Sequence, residues 1–145
     1  MNTQRKLTVL SAMNCIADCA KNSKLSDNFY SHVGGLISYV SKKLDITDDQ
    51  SVMLALFVNM CDDERMTINK LGRYVDCTSS QMIMYSKTLF KLKKRGYIKC
   101  NHDLRYKSYC VPQEVIDAFQ ENKKIELPEQ IVSPESELSV NVGRA

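Results

Sequence analysis

Along the first sixty residues the apolar positions recur at helical spacing. Leu7, Leu10, Met13, Ala17 and Ala20 share one side of an amphipathic helix. Phe29, Val33, Leu36, Ile37, Val40 and Leu44 predict a second helix with a strong stripe. Gly34-Gly35 inside that stripe costs about 1 kcal/mol per glycine relative to alanine. The pair therefore predicts either a close helix crossing or a helix that begins at Leu36. Thr47-Asp48-Asp49-Gln50 has the form of a capping box, in which Thr47 and Gln50 each satisfy the other's backbone N–H. The run SVMLALFVNMC that follows is apolar almost all round, which predicts the buried centre of the molecule. It ends near Cys61-Asp62-Asp63-Glu64, read as a solvated turn because a calcium loop needs alternating ligands and a glycine.

From Met66 to Pro112 the pattern becomes a sequence of short elements. A short strand leads into a helix with Ile68, Leu71, Tyr74 and Val75 on one side, and Gly72 lets a second helix approach closely. Asp76-Cys77-Thr78-Ser79 breaks the period and offers Thr78 or Ser79 as N-cap. The next helix, Ser79 to Arg95, carries Met82, Tyr85, Leu89 and Leu92 on one side and stops at Gly96 behind a cluster of cations. The period then changes to alternation. Tyr97–Cys100 and Tyr106–Val111 flank Asn101-His102-Asp103-Leu104, a hairpin with turn chemistry. Strand, helix, helix and hairpin in that order predict a mainly α fold with a small β-hairpin: a winged helix-turn-helix with an N-terminal helical extension. The expected division is an extension over 1–45, the winged helix-turn-helix over 46–122 and a linker or disordered tail over 123–145. Pro112 opens a last helix to about Asn122, with Val115, Ile116 and Phe119 inward. The tail has two prolines, scattered glutamates and no sustained period.

Charge sharpens this division. Arg65 to Pro112 holds eleven lysines and arginines against Asp76 and Asp103, a net of +9, whereas Gln113 onward carries a net of −4. A basic module before an acidic tail suggests a polyanionic partner; the plainer alternative is a solvated lysine surface. No apolar run approaches the length of a membrane span and the N-terminus is too interrupted for a secretory signal, so a cytoplasmic setting is expected. Six cysteines without a C-x-x-C pair fit that setting, and a turn centred on His102-Asp103 would set Arg105 opposite Cys100, so no disulfide is expected. Cys15 and Cys19, one turn apart, lack further metal ligands. The five glycines build no phosphate loop, and no nucleophile–base pair is legible beside the two histidines. The chain is expected to be no enzyme on its own, with no cofactor and no metal.

Several stretches also carry a likeness. ISYVSKKLDIT before the buried helix, RYVDC at the corner, KKRGYI entering the hairpin and VP-x-EVI leaving it resemble the winged-helix region that precedes the ATPase module in a family of AAA-type ATPases from Bacteroides-like bacteria. The likeness covers roughly residues 30 to 122. It implies a bacterial winged helix in a chain that continues into a nucleotide-hydrolysing core, whose motifs are absent from this sequence.

Two functions follow. In the first, the module binds double-stranded DNA in a regulatory or targeting role, with the head of the second helix in the major groove. Ser79, Ser80, Gln81 and Met84 would face base edges, Gln81 through a two-fold amide pairing with adenine. Lys87, Lys91, Lys99, Arg105 and Lys107 would hold phosphates. In the second, the same domain is a protein-interaction module that positions or regulates an attached or partner ATPase. Met82, Met84 and Tyr85 make that helix head apolar, and no arginine stands in its first three turns. The exposure of Met84 is the observation that bears on the choice.

Overall fold

A computed structural model describes residues 7–60, 66–102 and 107–121, a mainly helical chain with a small three-stranded antiparallel sheet. Helix α1 runs Val9–Ala20, α2 Asp27–His32, α3 Gly34–Leu44 and α4 Asp48–Met60. Strand β1 (Met66–Thr67) leads into α5 (Ile68–Val75), α6 (Ser79–Ile83) and α7 (Ser86–Lys94). Strands β2 (Lys99–His102) and β3 (Lys107–Cys110) precede α8 (Gln113–Glu121). The sheet order is β1-β3-β2, with Met66 opposite Tyr109 and Cys100 also opposite Tyr109.

Helix α4 is the centre. Residues 50 to 57 are all buried, and α1, α3, α7 and β3 pack on it. Thr47 and Gln50 form the capping box at its start: Gln50 N–H donates to Thr47 Oγ1 at 3.2 Å and Thr47 N–H to Gln50 Oε1 at 2.9 Å. Phe57 meets Tyr109 of the sheet at 5.4 Å between ring centroids, while Tyr97 stacks on Phe119 of α8 at 6.2 Å. The N-terminal helices share this core, with α1 packing on α3, α4 and α8.

The loop after α1 also secures the corner between α5 and α6. Asn22 and Lys24 N–H groups donate to the Tyr74 and Val75 carbonyls at 2.9 and 2.6 Å, and Tyr74 Oη donates to the Ala17 carbonyl at 2.9 Å. Carbonyls left open at the end of α5 are thereby satisfied by another element. Gly72 is tightly enclosed: a Cβ there would stand 2.9 Å from the Cys77 carbonyl oxygen and 3.2 Å from Met82 Cγ.

Four details differ from the periodicity. Helix α1 starts at Val9 because Thr8 and Ser11 form a capping box, so Leu7 lies outside it and is exposed. The second predicted helix is two, broken at Val33, and α3 begins at Gly34; neither glycine marks a close crossing, since a Cβ at either would meet nothing within 4 Å. The helix predicted over Ser79–Arg95 is likewise two, broken at Met84-Tyr85. The residue opposite Cys100 is Tyr109, not Arg105, and Cys100 and Cys110 are free thiols in the half-buried part of the sheet. Residues 61–65, 103–106 and 122–145, which include the acidic turn, the hairpin tip with Arg105 and the tail, lie outside the described residues. Among the described residues no helix is long and apolar enough to cross a membrane.

Candidate nucleic-acid interface

The surface built by α6 and α7 starts from a cap. Gln81 N–H donates to Thr78 Oγ1 at 3.2 Å, and Thr78 N–H donates to Gln81 Oε1 at 2.8 Å. Thr78 is therefore the N-cap, and the amide oxygen of Gln81 is turned back onto the backbone. A two-fold pairing of Gln81 with adenine needs that oxygen as well as the NH2 group. In this arrangement the oxygen is already engaged by Thr78 N–H, and the NH2 group is the uncommitted end of the exposed side chain. Ser79 Oγ donates to Asn69 Oδ1 at 3.2 Å and ties α6 to α5.

Met82 is buried beneath Gly72, and one turn later the helix tightens. Met84 and Tyr85 N–H groups donate three residues back, to the Gln81 and Met82 carbonyls at 3.3 and 3.0 Å. Such i→i−3 bonds mark a 3₁₀-like turn. Tyr85 is half-buried there and is hydrogen-bonded to Tyr30, which donates to Asp49 Oδ1 at 2.7 Å. Burial, the largest cause, raises both phenol pKa values; the contact with Tyr85 and the bond to Asp49 raise Tyr30 further, while the contact with Tyr30 partly offsets the rise at Tyr85. A three-residue polar chain from α2, α4 and the α6–α7 junction thus sits at the break.

Outside this junction Ser80, Gln81, Ile83, Met84, Lys87, Phe90, Lys91, Lys93 and Lys94 are exposed. Lys87, Lys91 and Lys94 stand at i, i+4 and i+7, one row along α7. Lys87, Lys91, Lys93 and Lys94 form no ion pair with any carboxylate among the described residues. Arg95, counted among the bases, is committed elsewhere. Its guanidinium donates to the Asp45 and Leu44 carbonyls at 2.9 and 3.2 Å and stacks 5.6 Å from the Tyr97 ring centroid. It caps the negative end of α3.

The wing residues diverge. On antiparallel strands, directly opposite residues share a side of the sheet and successive residues alternate. Lys107 lies on the side of Cys100 and Tyr109, toward α7; Lys99 shares the other side with Asn101. The structure brings together Ser80, Gln81, Met84, Lys87 and Lys91, sets Lys107 across a cleft from them and leaves Lys99 on the far side. Arg105 is outside the described residues.

That cleft, about 400 Å³ between α7 and the sheet, is lined by Ile68, Met82, Ile83, Leu89, Phe90 and Tyr109, with Lys93 and Lys107 also lining it. Ile83 and Phe90 are 66% and 53% exposed, and Met84 beside Gln81 is 81% exposed. Ile83 and Phe90 escaped the sequence reading. The stripe Met82, Tyr85, Leu89, Leu92 defines the buried side of α6–α7, and any large apolar residue off that stripe was the available signal. No family model, no curated protein and no solved structure matches the chain.

Proposed function

We propose that residues 46–122 form a winged helix-turn-helix that binds double-stranded DNA, as a regulatory or targeting module. The order α4, β1, α5, α6–α7, β2, β3 and the strand order β1-β3-β2 support the fold. The lysine row Lys87–Lys91–Lys94 beside exposed Ser80 and Gln81 carries the function, because unpaired cations along one helix neutralise phosphates while the helix head reaches base edges. Fluorescence anisotropy with a random-sequence duplex at two salt concentrations tests it. Binding should weaken steeply with salt, and Lys91→Gln should lower the salt slope by about one unit for every sequence alike. Absence of salt-dependent binding at low ionic strength would end this reading.

A second reading has an observation of its own. Between Lys93 and Lys107 the cleft also carries Ile68, Met82, Ile83, Leu89 and Phe90, and the exposed Ile83 and Phe90 are more apolar surface than phosphate tracking needs, which favours a protein-interaction module serving an attached or partner ATPase. The resemblance to AAA-type ATPases motivates that partner. Phe90→Ser separates the two: it should leave the salt slope for DNA unchanged and abolish a protein contact made in the cleft, as read by cross-linking in bacterial lysate.

A further inference from the structure

Three observations converge at the head of the α6–α7 pair. Met84 is the most exposed large apolar side chain there, at 81%. It is the C-cap of α6, four residues after Ser80 and three before Lys87, and so stands at the junction between the helix head and the lysine row of α7. Gln81, three residues before it, has its amide oxygen held by Thr78 N–H at 2.8 Å and keeps its NH2 donors uncommitted on an exposed side chain.

The donors and acceptors of a major-groove edge are joined by one apolar feature, the C5-methyl group of thymine. With Lys87 and Lys91 on phosphates, the residue one turn nearer the helix head is the one that reaches base edges. That residue is apolar. A thioether on three rotatable bonds adapts to a methyl group without demanding a fixed angle, and it offers a polar base edge no hydrogen bond of comparable strength. Gln81 NH2 can donate to thymine O4, an acceptor on the same base, without breaking its cap. Ser80 bonds to either kind of edge and adds little choice.

We infer that Met84 is a specificity-determining residue that selects thymine in double-stranded DNA by packing on its C5-methyl group, with Gln81 donating to the neighbouring oxygen. The inference rests on the DNA reading above and deepens it.

The test uses the full chain and three 20-base-pair duplexes: one of mixed A·T order, the same order with deoxyuridine for every thymine, and one of G·C pairs. Anisotropy titrations at one low salt concentration give the affinities. The thymine duplex should bind about fourfold tighter than the uracil duplex for each methyl contacted, the worth of one buried methylene. Met84→Ala should bring that ratio to one. Lys91→Gln should weaken all three duplexes by a common factor and leave the ratio intact. Salt-dependent binding of all three with a ratio of one in the wild type, or a ratio that survives Met84→Ala, overturns the assignment and leaves the DNA reading standing. No binding to any duplex overturns both. Met84 is exposed, so circular dichroism of Met84→Ala should match the wild type and keep the comparison clean.

Discussion

Between His32 and Gly34 the chain ends one helix and begins another where two glycines follow; at Met84 and Tyr85 it does the same with no glycine or proline in reach. The first break is local. Val33 N–H still donates to the Phe29 carbonyl at 3.1 Å, and a glycine pair has the backbone freedom to restart the helix in a new direction. The second break is tertiary. Met84-Tyr85 would continue a helix, but Tyr85 is drawn to the half-buried phenol of Tyr30, itself bonded to Asp49. The two breaks meet: Tyr30, on the helix that ends before the first, holds the second. An interruption near glycine is written in the residues around it, whereas one made by a distant hydrogen bond is not. The second also lies on the candidate interface, where it sets the direction of Ser80, Gln81 and Met84 relative to the lysine row.

The largest expected effect removes the support that both broken pairs share. Leu54 of α4 is fully buried, and both α3 and α7 pack on that helix. Leu54→Ala should cost about 2–5 kcal/mol in urea unfolding, the range for a buried leucine truncation. A single transition with an unchanged denaturant slope is expected. Two separated transitions would mean that the N-terminal helices and the remainder do not unfold together.

Next comes the corner before the second break. A methyl at position 72 would press on the Cys77 carbonyl and on Met82 Cγ, one of them rigid backbone. Gly72→Ala should cost about 1–3 kcal/mol, as overpacking does. It should also perturb NMR amide shifts at Cys77, Thr78 and Met82 while sparing Gly34 and its neighbours. Perturbation on both sides would show that the two breaks are coupled through the core and not only through Tyr30.

The bond between the breaks comes third. Tyr30→Phe and Tyr85→Phe should each cost about 1 kcal/mol, the usual net worth of a hydrogen bond, and the double variant should cost less than the sum. The pH dependence has a definite sign. Burial and bonding raise the Tyr30 pKa in the folded chain, so this stabilisation is fully present below about pH 10, where a free tyrosine titrates, and is lost as pH rises through the folded value. Alkaline melts should therefore erode the wild type more than Tyr30→Phe.

These effects separate what the residues announce from what they leave unsaid. The Thr47–Gln50 box, the all-round apolar α4 and the stripe of α5 are local patterns, each formed where the sequence indicates it; the change of period after Gly96 does give a strand, but one that runs Lys99–His102 and so takes in Asn101 and His102, which the sequence reading placed in the turn. At the candidate interface the row Lys87–Lys91 was legible because i, i+4 spacing needs no tertiary knowledge. The commitments of Gln81 and Arg95 were not. Gln81 reads as a base-reading amide until Thr78 is seen as its cap, although T-x-x-Q just before an apolar run is itself a capping signature. Arg95 reads as one more cation until its guanidinium is found on the α3 carbonyls fifty residues away in sequence. Long-range partners of flexible side chains leave no periodic trace.

The smallest effect has the opposite sign and isolates the local break. Gly35 lies in the first turn of α3, a Cβ there would meet nothing within 4 Å, and Gly96 is the glycine with positive φ among the described residues. Alanine therefore fits the native backbone without strain and reduces the freedom of the unfolded chain. Gly35→Ala should stabilise by about 0.4–1 kcal/mol, measured as a higher denaturant midpoint at constant slope. The sign is the informative part. If the glycine pair only permits the break at Val33, alanine leaves the break in place and the gain appears. If the break needs the flexibility of Gly35, the gain vanishes, α2 and α3 tend to merge, and Tyr30 is displaced from Asp49 and Tyr85. Loss of stability in Gly35→Ala, together with a changed Tyr85 environment by fluorescence, would make the first break a cause of the second.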